Sequence, residues 1–547
     1  MQHGDGREVA RTVARVTGGW RGNELHEVPF SVRQSAHASG YARNPPGGSG
    51  STEAAPASPI NVGDWPRVRQ EATILRSTLS TPDMRPRTSP AVSRVVRAAT
   101  VFASFLLVTS TARAQAPVVI RGGWIFTATG DQVVRNRGIL VRGGVFQVVN
   151  GTIAPADTQG ARVIALADSD YVLPGLVDVH AHYNMTLGPN GVRSDEYTYN
   201  PLIFLANGVT TTFPAGEYDP EGMMEARKRI DSGQQIGPRI FNSGPYYGTA
   251  RRGWNQNWTT EDIYKDVDTW AAQGVRGFKA KGISPAHLKA LVERAHMHGL
   301  PVTGHLESGF RNSTNARDAV LMGIDRVEHI LGGDALDSMK QAYPSWVKVD
   351  IKSKEFKDIV ALFVSHHVVF DPTITAPVYF ATPQEGFDYW IDERKFFTPA
   401  VQEWVKNKPP KRPNTLFDSL YWAMRRTTKA FYDAGGTLTM GTDNPSQGEF
   451  LAGFSSHREL HALVLAGIPA AAALRIGTIN GARALNAGDK LGSIEPGKFA
   501  DLFIVRGNPL RDIRNTRHVR VVMKSGVVYD PAELLKSAEG KIGPPGN

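Results

Sequence analysis

The chain has 547 residues and a formal net charge of +10; hydrophobic residues make up 41% and charged residues 21%, and there is no cysteine. The length is about twice the ~250 residues of one barrel domain. The composition excludes a wholly disordered or multi-pass membrane chain. The lack of cysteine excludes disulfides, zinc fingers, iron–sulfur clusters and a thiol nucleophile. Residues 1–83 carry nine Arg against eight acidic residues and residues 84–114 carry five Arg and no acidic residue, so most of the net charge lies in this leader and predicts no nucleic-acid partner.

The first 114 residues differ in composition from the rest. Residues 1–83 are rich in Gly, Pro, Ser and Arg, lack sustained periodicity, and are predicted to be disordered and upstream of a true start at Met84. Residues 84–114 begin with arginines, continue through an apolar run at 98–108 and close with Ala-Arg-Ala, which is typical of a secretory signal peptide. We therefore predict a mature chain that begins near Gln115, is periplasmic or secreted, and has no stable membrane span. A disordered tail followed by a membrane anchor or a core segment is the alternative.

Short β segments bracket a long middle region. Residues 115–170 and 487–535 are predicted to form one small β-sandwich domain from both ends of the mature chain. In residues 171–486, eight strand-like runs alternate with helical patterns, which favours an α/β fold of the (β/α)8 TIM barrel type. The predicted strands are 172–180, 209–215, 239–244, 277–281, 301–306, 326–330, 368–374 and 437–443. Between the fourth and fifth strands, Ser284 and Pro285 predict the start of a helix that ends at Gly299.

The ends of the predicted strands carry residues that bind metal ions. In barrel enzymes the reactive groups stand at the C-terminal ends of strands. His180 and His182 are two residues apart on the first strand, so both imidazoles lie on one face and one ion can bind both. Ligand-type or reactive residues also close later strands: Lys279, His305, His329 and Asp443. His and Asp ligands without sulfur suit Zn²⁺, and also Mn²⁺, Co²⁺ or Fe²⁺.

Several motifs together resemble the amidohydrolase superfamily, specifically its imidazolonepropionase-like and prolidase-like branch. The motifs are VLPGLVDVHAHY at 172–183, GVTT at 208–211, GFKA at 277–280, VTGHL at 302–306, VEH at 327–329, GTDNP at 441–445 and GSIEPGKFADLFIVRGNPL at 492–510. The resemblance covers nearly all of residues 118–530.

The resemblance implies a site with two divalent metal ions, foremost zinc. His180 and His182 would hold one ion, and His305 and His329 the second. Lys279, carboxylated by CO2 on its amine, would bridge the two ions, and Asp443 would bind the first ion and act as the acid/base. A desolvated lysine loses its proton readily, which allows carbamate formation.

Two departures from the pattern concern the bridge. Lys281 lies two residues beyond Lys279 on the same face, so Lys281 could in principle form the bridge, although the family pattern favours Lys279. Mononuclear deaminases of the superfamily have a Glu three residues after the fifth-strand His, where this chain has Ser308, with Glu307 one position away. The deaminase interpretation is therefore disfavoured.

The function implied is metal-dependent hydrolysis of an amide or other C–N bond by metal-activated hydroxide. Its small-molecule substrate would be an N-acyl amino acid, a dipeptide or a cyclic amide. Lactone or phosphotriester hydrolysis on the same site is one alternative, and a catalytically silent binding protein is another. A homo-oligomer is the one assembly with protein partners that we consider, and the sequence leaves the oligomeric state open.

Substrate contacts are predicted on the segment after the third strand. Tyr246, Arg252 and Trp254 would suit a substrate with an apolar side chain and a carboxylate. A loop packed on itself is the alternative interpretation of this segment. Elsewhere, His457 and His461, four residues apart with Glu459 between them, lack the zinc-protease spacing and are interpreted as packing residues.

Overall fold

The computed structural model describes residues 116–187, 193–306, 313–331, 342–378, 380–382, 393–409, 412–446 and 450–544. The leader predicted at 1–114, together with Glu307 and Ser308, lies outside these residues. Every statement below on the arrangement of the chain concerns the described ranges.

The strands, in chain order, are β1 (Val118–Ile125), β2 (Val134–Arg135), β3 (Ile139–Arg142), β4 (Val145–Val148), β5 (Arg162–Pro174), β6 (Leu176–Ala181), β7 (Asn184–Thr186), β8 (Arg193–Asp195), β9 (Val209–Pro214), β10 (Arg239–Ile240), β11 (Tyr246–Tyr247), β12 (Phe278–Lys281), β13 (Val302–His305), β14 (Arg326–Glu328), β15 (Val369–Asp371), β16 (Leu502–Arg506), β17 (Val519–Lys524) and β18 (Val527–Tyr529).

The α-helices are α1 (Tyr199–Ala206), α2 (Pro220–Asp231), α3 (Thr260–Ala272), α4 (Pro285–Met297), α5 (Ala316–Leu321), α6 (Ala342–Trp346), α7 (Lys354–Ser365), α8 (Thr375–Val378), α9 (Pro399–Lys406), α10 (Thr415–Asp433), α11 (Phe454–Leu465), α12 (Ala470–Arg475), α13 (Gly481–Ala484) and α14 (Pro531–Ala538). None of the helices in the described ranges has both the length and the apolar content that crossing a bilayer requires.

Both ends of the described chain build one mixed sheet of eight strands. Its order is β18-β17-β16-β5-β1-β3-β4, with β2 paired to β1. The pairing of β1 with β5 is parallel, whereas β16 from the C-terminal end pairs antiparallel with β5. Apolar side chains of the two ends, such as Ile120, Leu502 and Ile504, share one buried cluster. The sheet draws strands from both ends, while a separate β-sandwich domain with the bounds 115–170 and 487–535 stays a prediction.

The middle of the chain forms a TIM-barrel-like α/β arrangement. Parallel strands lie in two sheets, β10-β9-β6 and β11-β12-β13-β14-β15. Isolated parallel bridges join Glu217 to Pro245, Phe370 to Leu438 and Ala181 to Asn444. The strands therefore follow one another in the predicted order, but as two sheets with bridges between them rather than as one continuous sheet, so a fully closed barrel stays a prediction.

Some strand boundaries differ from the sequence expectation. Val172–Pro174 belong to β5 in the terminal sheet, and β6 begins only at Leu176. In the run expected at 239–244 only Arg239 and Ile240 form a strand, β10, and a second short strand, β11, follows at Tyr246–Tyr247. The run expected at 437–443 contributes a single bridging residue, Leu438. Periodicity in sequence cannot locate such ends, because the pairing partners of each residue determine them.

Helix α4 begins as its sequence indicates. The Ser284 side chain accepts a hydrogen bond from the His287 amide, and Pro285 occupies the first turn, where its missing amide costs nothing. Gly299, with φ +66°, follows the last turn, a conformation that glycine adopts without strain. The helix joins β12 to β13 and buries Leu288, Leu291 and Ala295.

Candidate functional site

Six side chains that the sequence singled out lie at the C-terminal ends of neighbouring parallel strands. His180 is in β6 and His182 directly follows it, Lys279 is in β12, His305 ends β13, His329 follows β14, and Asp443 lies on the segment that bridges to β15 and β6. The structure brings all six together, as the following contacts describe.

Asp443 forms one side of the cluster with the two histidines of the first strand. Its Oδ1 lies 2.8 Å from His182 Nε2 and 3.5 Å from His180 Nε2. The backbone sets this geometry, because the Asp443 amide donates to the His180 carbonyl at 2.8 Å and the His182 amide donates to the Asn444 carbonyl at 3.0 Å. The segment carrying Asp443 is thus held against β6 on both sides of the carboxylate.

Lys279 and two further histidines form the other side. Lys279 Nζ lies 3.5 Å from His180 Nε2. The ring of His329 lies with its centroid 5.3 Å from that of His180 and 4.4 Å from that of His305. His180 is therefore the residue common to both sides of the cluster.

Two buried carboxylates that sequence reasoning did not assign also adjoin the cluster. Glu328 forms an ion pair with Lys279, and its Oε2 lies 3.6 Å from His180 Nδ1. Asp371 Oδ2 lies 3.3 Å from the same His180 nitrogen. Both residues close strands, in the motifs VEH and VFDP, so the rule that identified the other strand ends could have found them.

Burial determines the charge states of the bases in the site. Burial and the positive charge of Lys279 lower the pKa of His180 well below its usual value, and burial with the neighbouring His305 lowers the pKa of His329 to about 3. Burial also lowers the pKa of Lys279, although Glu328 opposes the shift. Neutral imidazoles and a lysine that readily becomes a neutral amine are the forms that bind metal ions or react with CO2.

Asp443 behaves in the opposite way to most buried carboxyls. Burial would raise its pKa, but the hydrogen bond with His182 and the charges of His182, His329 and Lys281 lower the pKa below its usual range. Asp443 is therefore an ionised carboxylate beside the histidines of the site.

Thr373 fixes the tautomer of His329. The Thr373 hydroxyl donates to the Pro372 carbonyl at 2.8 Å, so its oxygen is free to accept from His329 Nδ1, which lies 2.6 Å away. With the proton on Nδ1, the lone pair of His329 is on Nε2. A neutral imidazole in this tautomer is ready to bind a cation through Nε2.

The donor atoms suit divalent metal ions. Two groups of three residues each have ligand atoms within 4.8 Å of one another: His180, His182 and Asp443 in the first, and His180, Glu328 and His329 in the second. Nitrogen and carboxylate donors without sulfur match zinc and its neighbours in the transition series. The residues present therefore fit the metal-dependent chemistry of the resemblance.

The two lysines of β12 have different surroundings. Lys279 is buried beside His180 and Glu328, whereas Lys281 is half-buried with Nζ 5.9 Å from the centroid of the Tyr246 ring. The position of Lys279, and not that of Lys281, is next to the histidines.

Of the three predicted substrate contacts, one faces the inner side of the sheet. Tyr246 is the register partner of Lys279 and packs against Tyr218 in a tilted arrangement, with ring centroids 4.8 Å apart. Trp254 instead packs against Trp258 and His287 at 5.0 and 5.4 Å, between strand and helix layers, and Arg252 is exposed. The contacts of Trp254 are those of a loop packed on itself, the alternative that the sequence left open.

The histidines of α11 are packing residues, as interpreted. His457 is buried and pairs through Nδ1 with the Thr516 hydroxyl at 3.1 Å. Glu459 accepts hydrogen bonds from the amides of Ile374 and Thr375, both at 2.8 Å. Neither residue belongs to the groups of potential metal ligands in the described part of the chain.

Solved structures of several hydrolases share this fold. An Xaa-Pro dipeptidase with methionine bound in its active site is 23% identical, with a TM-score of 0.57 over 76% of this chain and 100% of that one. Phenylurea hydrolase B is 19% identical, with a TM-score of 0.58 over 78% of this chain and 100% of that one. Molinate hydrolase is 20% identical, with a TM-score of 0.57 over 79% and 98% of the two chains.

Sequence comparison identifies the family directly. No protein with a curated description matches the chain. The model of the amidohydrolase family, however, matches residues 171–529, which include all six clustered side chains and extend into the C-terminal strands of the composite sheet. The chain therefore belongs to the amidohydrolase family.

Proposed function

We propose that this hydrolase cleaves a C–N bond of a small molecule, such as an N-acyl amino acid, a dipeptide or a cyclic amide, with two divalent metal ions. The observation that carries the proposal is the convergence of the histidines, Lys279 and Asp443 at the ends of neighbouring parallel strands. Zinc is the ion that these donors suit, with manganese, cobalt and iron as alternatives.

Each ligand has a place in the proposed centre. His180, His182 and Asp443 would hold one ion, and His305 and His329 the other, with Lys279 as a carbamate between them. A metal pair, when bound, supplies an activated water and polarises the scissile carbonyl. Carbamate formation joins the neutral Lys279 amine to CO2 and releases a proton, and Glu328, which touches Nζ, is positioned to accept the proton.

Asp443 is the proposed acid/base. Its low pKa means that the carboxylate is ionised at neutral pH and can accept a proton from the attacking water. The same oxygen can then deliver the proton to the leaving nitrogen, which must be protonated before the C–N bond breaks. This sequence needs one carboxylate that gains and loses a proton in each turnover.

Metal removal tests the proposal. Purified protein would be analysed for metal content and assayed on N-acyl amino acids, dipeptides, cyclic amides, a lactone and a phosphotriester. We expect about two ions per chain, amine release from at least one C–N substrate, loss of activity with dipicolinate and recovery with Zn²⁺ or Mn²⁺. Turnover of only the lactone or the phosphotriester would contradict the bond assignment. Activity that survives complete metal removal, or no activity after reconstitution, would contradict the metal-dependent mechanism.

Export is proposed as well. It is supported by the arginines, the apolar run and the Ala-Arg-Ala ending of residues 84–114. In that case the metal ions would be loaded outside the cytoplasm or before transport.

A further inference from the structure

Lys281 lies at the mouth of the cluster without a role in the proposed metal centre. It is the last residue of β12 and the register partner of His305 on β13. Alternation along the strand places Lys281 on the same face as Lys279, about 7 Å further toward the end that carries the site. Its ammonium group is therefore near the reacting atoms but outside the group of ligands.

Lys281 forms no ion pair with a carboxylate among the described residues, although its charge acts on Asp443 from a distance. Three other cationic side chains with little solvent exposure each form an ion pair with a carboxylate. Lys279 pairs with Glu328, Arg251 with Asp266 and Arg239 with Asp501. Lys281 has no salt bridge and no side-chain hydrogen bond to any described residue, although it is half-buried.

What the Lys281 ammonium does contact is an aromatic face. Its Nζ lies over the ring of Tyr246, and Tyr246 packs on Tyr218. An aromatic face stabilises a cation by only a fraction of what a paired carboxylate contributes at a partly desolvated site. A bound substrate would remove more water from this ammonium. The free-energy cost of that desolvation is smaller if the substrate carries an anion that pairs with Lys281.

We propose that Lys281 binds a carboxylate of the substrate and thereby selects N-acylated amino acids with a free α-carboxylate over neutral amides. This inference rests on the proposed function. In such a substrate the scissile carbonyl carbon and the carboxylate carbon are three bonds apart, so one group can reach the metal ligands while the other reaches Lys281. The Tyr246 ring would then lie beside the apolar side chain of the amino acid.

The test compares charged and neutral forms of one substrate. N-acetyl-methionine and N-acetyl-leucine would be assayed beside their methyl esters, with release of the free amine as the readout, in wild type, Lys281→Met and Lys281→Arg. We expect wild type to prefer the acids, and Lys281→Met to lose ~10- to 100-fold in kcat/KM for the acids, mainly through KM, which is the size expected for one charge-assisted contact. Activity on the esters should fall much less than activity on the acids in Lys281→Met, so that the ratio of the two is the readout, and Lys281→Arg should retain part of the preference.

A binding measurement accompanies the rates. Inhibition by the product methionine should weaken in Lys281→Met by the same factor, while inhibition by methioninamide should not change. Lys265→Met, on the exposed face of α3, removes the same charge away from the site and serves as the matched control. It should leave all of these constants as in wild type.

Different failures have different meanings. Equal turnover of acids and esters by wild type, or an unchanged acid preference in Lys281→Met, would overturn the role of Lys281 and leave C–N hydrolysis standing. Absence of metal-dependent amine release from any amide would contradict the proposed function and this inference with it. Loss of bound metal in Lys281→Met would also overturn the inference, because it would assign Lys281 to the metal centre.

Discussion

Two imidazoles of the site, His180 and His329, each direct Nδ1 toward an oxygen outside the set of proposed ligands. His329 Nδ1 is hydrogen-bonded to the Thr373 hydroxyl, whereas His180 Nδ1 lies 3.3 Å from Asp371 Oδ2 without a hydrogen bond between them. The hydrogen bond to Thr373 keeps the proton of His329 on Nδ1 and the lone pair on Nε2, and it holds the ring in the orientation that binding requires. His329 is thus oriented by a residue outside the set of proposed ligands.

Replacing Thr373 with Val tests this orientation. Valine has the shape of threonine but no hydroxyl, so His329 Nδ1 loses its acceptor. We expect affinity for the second metal ion to fall ~10- to 100-fold, measured by competition with a chromophoric chelator. Thr373→Ser keeps the hydroxyl and is expected to bind metal nearly as wild type does. Equal metal affinity in Thr373→Val and wild type would contradict the orienting role.

Lys279 can be separated from Lys281 by a pair of matched variants. Lys279→Met removes the proposed bridging carbamate, and we expect activity to drop by at least ~100-fold and bound metal to fall below that of wild type. Lys281→Met should retain its metal, because its ammonium lies over Tyr246 rather than beside His180. Inductively coupled plasma mass spectrometry measures the metal content of both variants. The opposite pattern would assign the bridge to Lys281.

At the scale of elements, helix α11 connects two regions that the sequence keeps far apart. Glu459 accepts from the backbone of residues 374 and 375, directly after the Thr373 that orients His329. Two residues before Glu459, His457 is hydrogen-bonded to Thr516 in the short 3-10 helix Ile513–Arg517, which follows β16. The helix is buried around most of its circumference, which explains why its sequence carries polar residues only where each has a partner.

The pH dependence of stability should report on this helix. Burial, with the nearby charge of Arg517, lowers the pKa of His457 to about 3 from 6.5. The unfolded chain therefore binds a proton that the folded chain does not, and the contribution of His457 to stability, present above pH 6.5, is lost as the pH falls toward 3. We expect His457→Gln to reduce the decrease in Tm between pH 7 and about pH 4.5. His366→Gln, at an exposed position, should leave the decrease unchanged, and a decrease identical in all three proteins would contradict the assignment.

The C-terminal ends of four strands were predictable from the sequence, but the residues that surround those ends in space were not. Buried apolar runs closed by His or Lys located β6, β12, β13 and β14, because a parallel strand buried on both faces has a recognisable sequence. Asp443 lies on a segment with only two isolated bridging residues, Leu438 and Asn444. Its position also depends on the glycine at 441, because a Cβ there would overlap the Asp371 carboxylate and the His180 side chain. Such close approach involves residues distant in sequence, so no local pattern records it.

Substrate-facing residues illustrate the same limit. The aromatic and basic residues of 246–258 suggested a binding wall, but neighbouring residues of a strand face opposite sides. Tyr246 shares the side of Lys279, while Tyr247 and Trp254 contact each other on the other side, with ring centroids 6.2 Å apart. Strand register, which the composition of the segment does not contain, decides which ring can meet a substrate.

At the scale of the whole molecule, the composite sheet is joined to the barrel-like region by buried polar contacts. Arg239 of β10 forms an ion pair at 2.5 Å with Asp501 and donates to the Ser525 hydroxyl at 2.8 Å. Asp501 also accepts from the Ser525 amide at 2.7 Å. Strand β5 of the composite sheet continues into β6 without a loop, because only Gly175 separates the two strands. The strand that supplies His180 and His182 is thus anchored in the sheet made from both chain ends.

Strand β1 begins at Val118, three residues after Gln115, near which the mature chain is predicted to begin. Cleavage at this point would leave the whole composite sheet in the mature protein, so the N-terminus of the exported protein tests the prediction. Expression in a bacterial host from Met84 is expected to yield periplasmic protein whose first residue lies near Gln115, read by N-terminal sequencing. Ala114→Phe should block processing, since the cleavage site requires small residues, and should leave the chain longer and membrane-associated. Ala116→Phe, just beyond the site, is the matched control and should be processed normally. Cytoplasmic protein that retains residues 84–114 would refute the export proposal while leaving the metal centre unaffected.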